Sequence, residues 1–160
     1  MSAYEKVSLL VDVQNIYYTT KSVYGQNFDY NRFWAKATQK RSVVNAFAYA
    51  IDRGDAKQRQ FQNILSAIGF KVKLKPYIQR SDGSSKGDWD VGITIDALDC
   101  AKESDVIVLA SGDGDFAILA EKIRSEYRIP VEIYGVRELT ASSLISAASN
   151  YYPIGKDLLL

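Results

Sequence analysis

The sequence predicts an α/β fold with a mainly parallel central sheet, and three observations carry that prediction. Short strand-like runs alternate with helical stretches from end to end, the order expected when helices cover both faces of a parallel sheet. The strongest strand candidates, VSLLVDV at 7–13 and VIVLA at 106–110, are nearly continuous apolar runs, as strands buried on both faces are. The chain has 160 residues and is 47% hydrophobic, which suits one ordinary domain with a real core.

Taken in order, residues 7–13 read as the first strand. Residues 29–40 (DYNRFWAKATQK) open on an N-cap and continue as a helix. VVNAFAYAI, at 43–51, is rich in β-formers and reads as the second strand. Residues 55–68 are amphipathic, with Phe61, Ile64, Leu65 and Ile68 on one face, and Gly69 stops the helix. From 70 to 79 the pattern alternates. Lys71, Lys73 and Lys75 fall on one side and Val72 and Leu74 on the other, giving a strand with a basic face, near a sheet edge. Residues 80–87 (RSDGSSKG) form a Gly- and Ser-rich loop. A helix over 88–103 follows, its faces marked by Val91, Ile95 and Leu98 and by Cys100 or Lys102. After the strand at 106–110, a helix runs from Asp113 through Tyr127. A strand at 131–136, a helix near 141–148 and a short YYPIG segment complete the chain. No internal repeat or linker interrupts it, so 1–160 reads as one domain.

Composition removes several function classes. Cys100 is the single cysteine and histidine is absent, so intrachain disulfides, Ser-His-Asp triads, Cys-His dyads and histidine-ligated zinc are excluded. Acid–base chemistry near neutral pH falls to carboxylates, Lys, Tyr or metal-bound water. The net charge is +1, but it is unevenly spread. Up to Asp90 there are 14 basic and 8 acidic residues, and from Val91 onward 6 and 11. One surface for a polyanion and another for a metal would have this asymmetry, as would solvated faces that mix in space. MSAYEKVSLLVDV reads as a first strand and not a signal peptide, and no stretch reaches a transmembrane length. The expected setting is the cytoplasm, without a membrane partner. Association into a homo-oligomer is left open.

In open α/β sheets ligands gather beyond the C-terminal ends of the strands. There the sequence places Asp12 and Asn15 (VDVQN), then the helix start bearing Asp88 and Asp90, then Ser111-Gly112-Asp113-Gly114-Asp115-Phe116. Crowded carboxylates raise one another's pKa unless a cation sits among them. Mg²⁺ or Mn²⁺, which take oxygen ligands and retain water, answer that need with a few Asp residues. Asp113 or Asp115 taken alone reads better as a helix cap. The set of Asp12, Asp90, Asp113 and Asp115 favours a metal site. The glycines of SGDGDF let that turn tighten and bring backbone near a ligand.

VDVQN, KGDWDVGITIDALD and SGDGDF, in this order, resemble the three motifs of NYN domains, in the LabA-like (DUF88) branch of the PIN-like nuclease superfamily. The resemblance covers about residues 6–137. It implies a PIN-like, Rossmann-like three-layer sandwich, a divalent metal and endoribonuclease activity. It carries roles to Asp12 and Asn15 from the first motif, Asp90 from the second, and Asp113 and Asp115 from the third. Asp96 also matches an acidic position of the second motif, but farther along the helix. In that motif Lys86-Gly87 is followed by Asp88-Trp89-Asp90, one residue longer than the commoner form, which leaves open whether Asp88 or Asp90 faces the metal.

The surrounding residues are weaker candidates. Lys86 at a helix start, Arg53, Arg80 and the lysines of the third strand are candidate phosphate contacts. Tyr17, Tyr18 and Trp89 are candidate stacking surfaces for unpaired bases, with plain packing the competing role of each. Ser111 either hydrogen-bonds a metal-bound water or finishes its turn. Asn15 orients Asp12 or the attacking water. The expected function is therefore metal-dependent hydrolysis of phosphodiesters in single-stranded RNA. The alternative is an RNA-binding or regulatory module of the same fold that cuts nothing. A Toprim-like domain wants Glu after its first strand, a haloacid-dehalogenase phosphatase a second Asp in VDVQN, a P-loop NTPase a GKS or GKT, and an EF-hand a longer ligand series ending in Glu. None of these patterns is present.

Overall fold

The computed structural model describes residues 4–76, 78, 79, 85, 86 and 88–160. Six parallel strands form the central sheet: β1 (Glu5–Asp12), β2 (Arg41–Asp52), β3 (Lys71–Pro76), β6 (Val106–Ala110), β7 (Val131–Gly135) and β8 (Asn150–Pro153). Their order is β3-β2-β1-β6-β7-β8, with every pairing parallel. A small antiparallel ribbon, β4 (Ile78–Gln79) and β5 (Ser85–Lys86), stands apart from the sheet. Among the described residues the six α-helices are α1 (Val13–Tyr24), α2 (Tyr30–Ala37), α3 (Ala56–Ile68), α4 (Asp90–Ala101), α5 (Ala117–Lys122) and α6 (Ser142–Ala147).

The period of two along each strand divides the core into two layers. Val7, Leu9 and Val11 of β1 and Val106, Val108 and Ala110 of β6 face α1, α2 and α3. Leu10, Ile107 and Leu109 face α4, α5 and α6. All of these side chains are at most 3% exposed, which explains why the two central strands read as unbroken apolar runs. The result is the three-layer α/β arrangement that the alternation predicts.

The chain winds from β1 outward to β2 and β3, then crosses back through α4 to β6 and continues outward to β7 and β8. The order therefore reverses between β1 and β6, and a crevice opens there beyond the strand ends.

The differences from the sequence reading have local causes. VQNIYYTTKSVY is rich in β-branched and aromatic residues, yet it forms α1 because Val13, Ile16, Thr19 and Thr20 bury one helical face. Asp12 ends β1 and caps α1, so the first strand stops one residue short of Val13. YYPIG contributes to a sixth strand, β8, on the outer edge. Ile64 is 49% exposed and lies outside the buried face of α3, which Leu65 anchors. In α4 the buried residues are Ile93, Ala97, Cys100 and Ala101, while Val91 and Ile95 point to solvent. The helix expected from Asp113 begins with a 3-10 turn (Gly114–Phe116) and ends in a π-helical stretch (Ile123–Tyr127). The edge position of β3 agrees with its alternating basic face. Among the described residues no helix is long and apolar enough to cross a membrane.

Candidate metal centre

Three chain segments meet in the crevice. Asp12, at the end of β1, is 8% exposed and accepts a hydrogen bond from the Asn15 backbone N–H that it caps (3.4 Å). Its other oxygen accepts the Ser111 hydroxyl at 3.1 Å. Burial, opposed by those two bonds and reinforced by Asp113 and Asp88, raises the Asp12 carboxyl to about 6. A buried carboxyl therefore stands at the strand end where a cation has most to stabilise.

The second segment follows β6. The Ser111 hydroxyl, itself fully buried, also accepts the Asp113 N–H at 3.2 Å. The Asp113 carboxylate caps the 3-10 turn by accepting the Asp115 N–H at 2.9 Å. Capping and cation binding are thus compatible in Asp113, because the cap occupies one oxygen. The Gly112 N–H donates to the Asn15 side-chain carbonyl at 2.8 Å, tying the loop after β6 to the start of α1. A Cβ on Gly112 would sit 2.7 Å from the Leu139 carbonyl oxygen, and one on Gly114 2.8 Å from Ala141. These glycines permit close packing against the segment before α6 and the start of that helix.

The third segment is the start of α4. Asp90 presents its carboxylate to the crevice, while the exposed Asp88, which also lines it, accepts the Asp90 N–H at 3.3 Å. Ligand oxygens of Asp90, Asp113 and Asp115 all lie within 4.8 Å of one another. Burial, then the charge and hydrogen bond of Asp113, raises the Asp90 carboxyl to about 7, with smaller contributions from Asp88 and Asp12. Asp12, Asp88, Asp90 and Asp113 line one cavity of about 380 Å³ with Gln14, Asn15 and Tyr18. Asp12 joins the other carboxylates through this shared cavity and is not within the tight group of three.

The donor set suits a hard dication. An octahedral ion with oxygens at about 2.0–2.1 Å spans roughly 3–4 Å between ligand atoms, so three oxygens within 4.8 Å need little closure. Burial first, and then repulsion from Asp113, raises the Asp90 carboxyl, a cost that a cation among these carboxylates would relieve.

The remaining candidates separate. Asp96 lies away from the cavity, where one of its oxygens accepts the Tyr49 hydroxyl at 2.7 Å and pairs with Lys73 Nζ at 2.6 Å. Six residues on from Asp90, it points to β2 and β3. Trp89 donates its indole N–H to the Ala50 carbonyl at 2.9 Å and packs on Tyr49 at 5.3 Å between centroids, so it is a packing residue. Lys75 Nζ lies over the Trp89 ring at 4.5 Å and donates to the Asp88 carbonyl, bracing the start of α4. Arg53 follows β2 on an exposed turn. Arg80 lies outside the described residues. Lys86 belongs to the β5 ribbon, and its side chain lies outside the description. Tyr17 and Tyr18 are 59% and 65% exposed, and Tyr18 alone of the two lines the cavity. Gln14, which sequence reasoning missed, lines it too. Its signal was a spacing of four from Tyr18, which places both on one face of α1.

Comparison with known proteins places this arrangement. The model of the NYN domain family matches residues 6–155. The chain is 27% identical over 154 residues to low amplitude and bright protein LabA of Synechococcus elongatus, covering 91% of this chain and 82% of that protein. A crystallised protein of unknown function from Vibrio parahaemolyticus is 55% identical, with a TM-score of 0.95 over 100% of this chain and 99% of that one. Ribokinase from Giardia lamblia is 12% identical with a TM-score of 0.51, over 95% of this chain and 58% of that one, a likeness of fold alone.

Proposed function

Because the chain belongs to the NYN domain family, whose domains are PIN-like and of nuclease type, we propose that it is an endoribonuclease. Its reaction is hydrolysis of phosphodiester bonds in single-stranded RNA, dependent on Mg²⁺ or Mn²⁺. The observation that carries the reading is the convergence of Asp90, Asp113 and Asp115 oxygens within 4.8 Å, beside the cavity-lining Asp12. Asp12, Asp90, Asp113 and Asp115 would hold the ion, directly or through water. A bound dication neutralises charge on the phosphate and acidifies a water molecule enough for attack at neutral pH.

The protein's own part is positioning. Ser111 joins Asp12 to the Asp113 backbone, and Asn15 holds the Gly112 N–H, so the loops after β1 and β6 keep a fixed spacing. Asp12 and Asp90, raised to about 6 and about 7 by burial and by neighbouring carboxylates, are the carboxylates that gain most from a neutralising cation. Arg53, Arg80 and Lys86 are assigned to the RNA backbone. The setting proposed is the cytoplasm.

The test is incubation of the purified chain with a mixed RNA pool in Mn²⁺ and in chelator. Internal fragments in Mn²⁺ alone support the reading. Binding of the pool without any fragments would move the protein to the inactive RNA-binding class.

A further inference from the structure

We propose that Tyr18 is a platform on which an unpaired RNA base stacks, and that this ring selects single strands at the acidic crevice. The inference rests on the nuclease reading of that crevice and names how its substrate is gripped. Of the described residues that line the cavity, four are carboxylates and none is a cation. A polyanionic backbone gains nothing from such walls except through a bound metal. The wall built by α1 is different. Gln14, Asn15 and Tyr18 present a neutral face to the same cavity, at helical spacings of one, three and four. What a neutral, partly aromatic wall can hold is the neutral part of a nucleotide, its base.

Tyr18 is suited to this role. It is 65% exposed, although it lines the same cavity as the nearly buried Asp12. Among the described residues, its ring and hydroxyl make no ring contact or hydrogen bond, whereas Tyr30, Tyr49, Tyr134, Tyr151 and Tyr152 are all engaged by neighbours. Asn15 cannot serve, because its side-chain carbonyl is committed to the Gly112 N–H. Trp89 cannot either, since its indole is bonded to Ala50 and covered by Tyr49 and Lys75. Gln14 is exposed next to the ring, with an amide free to meet a base edge. A base can lie on Tyr18 only when it is unpaired and unstacked, because a duplex covers both faces of its bases. The preference for single strands then follows from the ring and not from the carboxylates.

The experiment titrates wild type, Tyr18→Ala, Tyr18→Phe and Tyr17→Ala into a short single-stranded RNA carrying 2-aminopurine, in Mn²⁺ and moderately high salt, reading both fluorescence quenching and polarisation. Tyr18→Ala should weaken binding about tenfold or more and lose the quench. Tyr18→Phe should retain both, and Tyr17→Ala, whose ring is exposed but outside the cavity, should behave as wild type. The same RNA annealed to its complement should bind wild type and Tyr18→Ala alike. Melting curves of all variants should superimpose, because the substituted rings are exposed. Equal affinity and equal quenching for wild type and Tyr18→Ala would overturn the proposal, as would failure of wild type to bind the single strand. If wild type binds and quenches but leaves the RNA uncut, the platform stands and the nuclease reading fails.

Discussion

Ser111 donates its hydroxyl to Asp12 Oδ2 at 3.1 Å and, through the same oxygen, accepts the backbone N–H of Asp113 at 3.2 Å. One buried hydroxyl thus couples the carboxylate at the end of β1 to the loop after β6, across the point where the strand order reverses. That bond opposes the rise in the Asp12 pKa that burial produces.

Ser111→Ala removes the bond without changing the backbone. The expected outcome is a further rise of the Asp12 pKa and a loss of about 1 kcal/mol of stability. The acid limb of the pH profile for RNA cleavage should move to higher pH, while the plateau at alkaline pH changes less. A profile measured in Mn²⁺ for both proteins checks this. An unmoved acid limb would detach Ser111 from the ionisation of Asp12.

Asp12 and Asp90 should make the metal-free protein lose stability as pH rises from about 5 to about 8. Asp12 and Asp90 have folded pKa values of about 6 and about 7, above their ordinary 3.8. Between those limits the folded state binds more protons than the unfolded chain, so stability falls as pH rises. Their contribution is fully present below pH 3.8 and is lost as pH passes through about 6 and then about 7. The share of the well-buried Asp12 is on the order of 3 kcal/mol. On the proposed function, Mn²⁺ would bind the ionised carboxylates and add stability that grows with pH, opposing that trend. Denaturant midpoints at pH 5 and pH 8, in chelator and in Mn²⁺, should show opposite signs of the pH effect.

Asp96→Asn tests the role of the second motif's farther acidic position, which the sequence leaves open. The amide still accepts the Tyr49 hydroxyl but loses the ion pair with Lys73, which is 28% exposed in its side chain. We expect a loss of about 1 kcal/mol, since the pair is partly screened. The rise in Tm on adding Mn²⁺ should be unchanged. Disappearance of that rise would make Asp96 a ligand after all.

The fold and the site were legible to different depths, for physical reasons. β1 and β6 are central, buried on both sides and therefore apolar throughout, so VSLLVDV and VIVLA stand out. α1 was hidden because its β-branched and aromatic residues contradict local propensity, and only tertiary burial of Val13, Ile16, Thr19 and Thr20 makes it helical. β8 was hidden because an edge strand of four residues, none of them fully buried, carries no periodic signal. Asp90, Asp113 and Asp115, which converge, and Asp12, which shares the cavity with Asp90 and Asp113, were legible as candidates because carboxylates at strand ends and helix starts have few structural reasons to gather. Whether Asp88 or Asp90 enters the cluster depends on helical phase, and α4 begins at Asp90. Asp96 fits the same motif in sequence, but six residues is about 600° of helix, and that rotation carries it to Lys73.

Asp113→Asn separates the helix cap from the chemistry. Asp113 follows β6, whose five residues are all buried, so its backbone is held at the sheet edge as a ligand's should be. The amide oxygen can still accept the Asp115 N–H, so the 3-10 turn should keep its cap. Removing the charge relieves Asp90 and Asp12, both of which Asp113 pushes upward. In chelator the variant should therefore melt no lower than wild type, and above it at pH 8, where the carboxylates are ionised. In Mn²⁺ it should lose most of the metal-dependent rise in Tm and cleave RNA about a hundredfold more slowly or less. Stability in chelator and activity in Mn²⁺ thus move in opposite directions, which a purely structural Asp113 does not allow. Full activity in the variant removes Asp113 from the mechanism, and lost activity with a lowered melting point in chelator reduces it to a cap.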